Sequence, residues 1–321
     1  MAPLFMHNNL LELQRRDEQV MSKLYLYDPS LAAACIFIVL FACTAVAHLF
    51  VLFKRRTWYF VPFLIGIGCE IIGYAGRALS ASQTPNWSVF PYALQSLMLL
   101  IAPSFLAASI YGMLGRTIAM TRGEAYSPIP PKKLTKVFVT SDVLSFLVQS
   151  GGGGILTNAK SPSSIQLGEK VIIVGLFIQL IGFIFFIGVT GTFHKRITQG
   201  SRTGPVSVAA PWRRHIFILY GVSALVFVRS LFRVIEYCQG YDGYLQTTEV
   251  FLYVFDAALM FVVTVVLAID YPNGEETGFE EVKSEPEGPL ELRNLIPGNV
   301  HSMQQWEGPS PTAYRGQSAR I

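Results

Sequence analysis

Eight charged side chains fall inside the most apolar stretches of this chain: Glu70, Arg77, Asp142, Arg229, Arg233, Glu236, Glu249 and Asp256. At the centre of a membrane helix each costs roughly 2.5–3.5 kcal/mol, so such groups belong on inward faces beside partners. Their spacing agrees. Glu70, Tyr74 and Arg77 share one helical stripe, as do Asp142, Ser145 and Gln149. So do Arg229, Arg233 and Glu236, and again Glu249, Tyr253 and Asp256. Four helices with one polar stripe each predict a shared polar interior, although any single pair is also explained as an ion pair that holds helices together. At about 1.5 Å rise per residue, Glu70 and Arg229 lie near mid-membrane. Arg77, Arg233, Glu236 and Glu249 lie in the outer half, Asp256 is somewhat deeper, and Asp142 lies toward the cytosol. Five acids face three arginines. A proton, a protonated amine or a neutral carboxyl would balance the surplus. If all are ionised, the interior favours a cationic amphiphile, its amine near Glu249 or Asp256.

Two backbone features would let such an interior open. Pro103 stands midway along an apolar stretch, where it removes a helical hydrogen bond and kinks the chain. The run from Gly151 to Gly154 weakens a helix, allows close packing and can turn carbonyls inward. For both, an ordinary kink and a frayed helix end are the plainer alternatives.

Other chemistry lacks its residues. The histidines are His7, His48, His194, His215 and His301, and only His48 falls inside an apolar stretch. No zinc site or Ser/His pair is therefore expected. The last apolar stretch has no lysine for a retinal, and the glycine run has no following Lys-Ser/Thr for a phosphate loop. No enzymatic activity, metal or other cofactor is expected, and no nucleic-acid partner. Cys35, Cys43, Cys69 and Cys238 have no pairing or ligand spacing and read as small buried hydrophobes.

The elements that must carry the stripes are membrane spans. Only 14% of the residues are charged, against about 25% in soluble proteins, and the mean hydropathy is +0.42. A span needs about 20 apolar residues. Seven segments qualify: 31–53, 58–80, 91–115, 137–156, 171–193, 216–238 and 248–269. The predicted fold is an all-α bundle of seven transmembrane helices, entered without a cleavable signal peptide.

Basic residues orient it. Lys54, Arg55, Arg56, Arg116, Arg122, Lys132, Lys133, Lys136, Lys195, Arg196, Arg202, Arg213 and Arg214 fall in the first, third and fifth loops. The other loops hold only Lys160 and Lys170. Positive charge stays inside, so the N-terminus is expected outside and the C-terminus in the cytosol. Trp58 and Trp212 fall at the cytosolic interface, and Asn86-Trp87-Ser88 is a glycosylation sequon in an outer loop. The expected organisation is an extracellular segment 1–30, a transmembrane domain 31–270 and a tail 271–321. The tail is acidic through Glu275, Glu276, Glu280, Glu281, Glu285, Glu287 and Glu291, and is expected to be disordered.

Several motifs occur in order along the chain. They are Tyr27-x-Pro29-Ser30, Glu70-x-x-Gly73-Tyr74-x-x-Arg77, and Ala102-Pro103-x-Phe105-x-Ala107-Ala108-x-x-Tyr111. Asp142-x-x-Ser145-Phe146-x-x-Gln149-x-Gly151-Gly152-Gly153 and Gly175-x-x-x-Gln179 follow. Arg229-x-x-x-Arg233-x-x-Glu236-x-x-x-Gly240 and Glu249-x-x-x-Tyr253-x-x-Asp256 complete the set. In these the chain resembles the fungal RTA-like family, also called the lipid-translocating exporter family. It departs after the last span, with Tyr271-Pro272 where members often show His-Pro. The resemblance implies a fungal protein of the plasma membrane or another endomembrane. It further implies that the protein moves or resists amphipathic compounds such as sphingoid bases, aminosterols, porphyrins and lipophilic toxins. It supplies no established site residues. The expected partners are membrane lipids or small amphipathic molecules. The expected function is a transporter or translocase of these that confers resistance. The alternative is a seven-span receptor or regulator that acts on lipids indirectly.

Overall fold

The computed structural model describes residues 27–84, 87–121, 123–157, 161–200, 212–240 and 243–269. The described residues form helices without strands. Seven are long: α1 (Leu31–Arg55), α2 (Val61–Ser82), α3 (Val89–Met120), α4 (Pro131–Thr157), α5 (Pro162–Gly200), α6 (Trp212–Cys238) and α7 (Glu249–Ile269). Asn86, most of the N-terminal segment and the acidic tail lie outside the described residues.

Local chemistry sets the helix ends. Ser30 caps α1, its side chain accepting from the Ala33 N–H at 3.3 Å. At the other end Lys54 and Arg55 face the negative pole of the helix, and Arg56 turns left-handed at φ 50° to stop it. Pro62 stands in the first turn of α2, where its missing N–H leaves no bond unmade.

Six of the helices are long and apolar enough to cross a membrane; α4 falls outside that set. Its 27 residues reach about 40 Å, ample for a bilayer, but they include Lys132, Lys133, Lys136, Asp142 and four glycines. Val137, Val143, Leu144 and Leu147 nonetheless lie exposed on its outer side. Exposed apolar rows such as Val39, Val46, Phe50, Ile181 and Phe185 mark the other helices too. A surface of that kind fits hydrocarbon, and this is a multi-span membrane protein.

The glycine run does not fray: α4 continues through it to Thr157. Gly152 sits so close to α5 that an added Cβ would lie 2.7 Å from Ile172 and 2.8 Å from the Gly168 carbonyl. Its role is tight packing of α4 on α5. The cysteines also differ from expectation: Cys35, Cys43 and Cys238 are exposed, on surfaces where a small apolar side chain suits lipid as well as a core. Trp58 is exposed as an interfacial ring would be, whereas Trp212 is buried edge-on against His194.

Candidate functional site

Charged residues of α2, α6 and α7 meet inside the bundle in two adjoining groups. In the first, Arg77 of α2 is fully buried and spends its guanidinium on three partners. It donates to Glu249 Oε1 at 2.7 Å, to the Tyr253 hydroxyl at 2.9 Å and to the Tyr27 hydroxyl at 2.8 Å. Glu249 Oε1 also accepts from the backbone N–H of Ser30 at 2.8 Å. The start of α1 is thereby tied to α2 and α7. His48 makes a second tie lower down, its Nε2 lying 2.9 Å from the Thr264 carbonyl. That contact gives His48 the packing role its isolation in the sequence suggests.

The second group centres on Asp256. One carboxylate oxygen accepts from Arg229 Nε, and the other accepts from Arg233 Nη2 at 2.6 Å. Arg233 Nη1 donates to Glu236 at 3.1 Å. Asp256 can reach both arginines because residues Tyr253–Ala258 form a π turn. The wider turn breaks the regular period of α7. Tyr253 and Glu249 stay on Arg77, while Asp256 swings toward α6.

Pro103 enters here, through the carbonyl it releases. Having no N–H, it cannot bond the carbonyl four residues back, which is that of Leu99. Arg229 Nη2 takes this acceptor at 2.8 Å. A proline on α3 thus fixes an arginine on α6, and α3 joins the site without contributing a charged side chain.

Glu70 is different. It is 1% exposed, and its Oε1 has no hydrogen-bond partner among the described residues. It feels the charges of Asp256, Arg229 and Arg233. One turn along, the buried Tyr74 hydroxyl is likewise without a partner. The Tyr74 ring packs with Phe37, Phe41 and Tyr253, with centroids 5.6, 5.9 and 6.2 Å away.

The α4 stripe does not join this interior. Asp142 accepts from the Tyr111 hydroxyl of α3 at 3.0 Å. Gln149 donates to Ser145 at 2.5 Å and to Gln179 of α5 at 3.3 Å, and Ser145 donates to the Gly175 carbonyl at 2.7 Å. A helical period tells which residues share a face, not which neighbour that face meets. The four-stripe interior expected from the sequence is therefore three stripes plus a separate polar seam along α4. Tyr27, Ser30, Tyr111, Gln179 and the Leu99 carbonyl also take part, although spacing does not single them out as site groups. All but the last stand in the ordered motifs.

The α2, α3, α6 and α7 parts of this arrangement sit within a matched region, and Tyr27 and Ser30 precede it. The RTA1-like protein family description matches residues 63–275, a stretch that runs from the first turn of α2 to the end of α7. The chain belongs to the RTA1-like family. Protoporphyrin uptake protein 1 of Saccharomyces cerevisiae is 33% identical over 284 residues, covering 77% of this chain and 91% of that protein. Protein RTA1 of the same yeast is 32% identical over 275 residues, 78% of this chain and 85% of the relative. The sphingoid long-chain base transporter RSB1, also from this yeast, is 29% identical over 278 residues, 76% and 72% of the two chains. No solved structure matches. The RTA1-like family thus includes proteins named for membrane transport and uptake.

Proposed function

We propose that this RTA1-like protein is a translocase for amphipathic lipids or lipophilic toxic compounds, with sphingoid-base-like or sterol-like amphiphiles as its substrates, and that moving them confers resistance. The carrying observation is the enclosed polar group of α2, α6 and α7, joined by the buried Glu70 carboxyl whose Oε1 has no hydrogen-bond partner among the described residues, inside an otherwise apolar bundle. Pure scaffolding explains paired charges. It does not explain Glu70, which brings desolvation without a bond.

The relatives alone leave the cargo's charge open, since a porphyrin bears carboxyls and a sphingoid base bears an amine. The charges of this chain favour the amine. Arg77 is matched by Glu249, and Arg229 and Arg233 are matched by Asp256 and Glu236. The two surplus acids are Glu70 and Asp142. Glu249 and Asp256, the anchors that spacing favours, are already held by arginines, so the amine's natural partner is Glu70. In this reading α4 completes seven spans, the N-terminus lies outside, and the protein resides in the plasma membrane or an endomembrane.

The test is reconstitution of the full chain alone in liposomes with a labelled sphingoid base. Protein-dependent movement between leaflets supports the reading. Movement no faster than in protein-free vesicles contradicts it and favours a regulator that needs other components.

A further inference from the structure

We infer that Glu70 is a shared site for a proton and a substrate ammonium, so that each amphiphilic amine bound displaces one proton. The inference rests on the translocase reading and names what drives it.

Among the described residues, every other charge near Glu70 is paired with an opposite charge, with only Nε of Arg233 left without a hydrogen bond. On α6, Arg229 holds Asp256 and the Leu99 carbonyl, and Arg233 holds Asp256 and Glu236. On α7, Asp256 spends both oxygens on these arginines, and Tyr253 accepts from Arg77. The titratable neighbours on α2 itself are Cys69, Tyr74 and Arg77. On α3, the only charged residue is Arg116, which lies over the Tyr59 ring at 3.4 Å. From α1, His48 rests on the Thr264 carbonyl, and Lys54 and Arg55 occupy the last turn. Two arginines and two carboxylates therefore form a neutral group, and an ionised Glu70 would add an uncompensated charge to it. With a proton on Glu70 the enclosed site is neutral.

Among the described residues, Oε1 of this carboxyl has no hydrogen-bond partner, and the Tyr74 hydroxyl one turn away has none either. An arriving ammonium would meet both. It brings three N–H donors and one positive charge, which a carboxylate accepts and a carboxylic acid does not. The exchange balances. The O–H bond of Glu70 breaks, its proton leaves to water, and the ammonium pairs with the carboxylate that remains. One carboxyl cannot hold both cations, so binding of one requires release of the other. A pH difference across the membrane would then drive amine movement in the opposite sense to the proton.

The experiment uses the purified full chain in weakly buffered detergent at mildly acidic pH, with a pH-indicator dye and a long-chain base as the probe. The expected result is close to one proton released per amine bound. None is expected with the N-acylated, uncharged analogue or with Glu70→Gln. Amine binding without proton release overturns the inference and leaves the translocase reading standing. An infrared measurement tests the proton half of the inference without any ligand. A protonated-carboxyl band that titrates with pH and is lost in Glu70→Gln supports the inference, and its absence from the wild-type protein overturns it. If the amine fails to bind while that band is present, the shared site is overturned together with the amine substrate class.

Discussion

Replacing Asp256 by Asn removes the one carboxylate that holds both Arg229 and Arg233. Asn keeps the shape but loses the charge, and its amide nitrogen cannot accept from an arginine. Both guanidiniums are buried or nearly so, with side chains 3% and 12% exposed. Breaking such a pair from one side costs about 3–5 kcal/mol, because the remaining charge is left uncompensated. Glu70 changes that sum. Because it feels the charges of the same arginines, it can ionise and offset part of the lost charge, so Asp256→Asn alone should cost less than the full amount. Glu70→Gln alone should be nearly silent, since Gln resembles the protonated acid. The double variant has no replacement carboxylate and should show the full ~3–5 kcal/mol loss. Unfolding of the four proteins in lipid nanodiscs gives the coupling directly. We expect an interaction of about 1–3 kcal/mol beyond the sum of the single effects, in the range found for residues of one network. Additivity to within about 0.5 kcal/mol would refute the charge balance on which the account of Glu70 rests.

Other expectations follow from single contacts. Tyr27→Phe deletes one charge-assisted hydrogen bond to Arg77, worth about 1.5–3 kcal/mol, and should speed hydrogen exchange in the first turns of α1. Unchanged exchange there would mean that the Ser30–Glu249 bond suffices. Gly175→Ala drives a Cβ to within 2.5 Å of Gln149 Cγ and should destabilise the α4–α5 pair, whereas Gly151→Ala meets nothing within 4 Å. The latter should be neutral or stabilising by up to about 1 kcal/mol. Thermal unfolding of the two variants separates these outcomes, and equal effects would contradict the packing described. For orientation, a cysteine introduced at Leu10 should react with an impermeant reagent on intact cells and one at Leu290 should not. The reverse pattern would invert the topology.

Much of the site was legible in the chain because period and charge are local signals. Glu70, Tyr74 and Arg77 were placed on one stripe by spacing alone, as were Arg229, Arg233 and Glu236. What spacing could not supply was the partner across the bundle. Asp142 and Gln149 looked equivalent to the other stripes, yet their face meets α3 and α5. Asp256 was aligned with Tyr253 on a regular helix, but the π turn sends it to α6, and no residue type announces such a turn. The use of Pro103 was hidden for a related reason. A kink is readable from the proline, whereas the arginine that takes the freed Leu99 carbonyl is 130 residues away and known only from packing.

The most direct test of the central claim is the initial rate of transbilayer movement in liposomes containing this protein alone, measured for a labelled sphingoid base and for its N-acylated analogue. Protein-dependent movement of the amine should run well above that of the uncharged analogue. Equal rates for the two would contradict the role assigned to the buried carboxylate, and no protein-dependent movement of either would contradict the translocase reading itself.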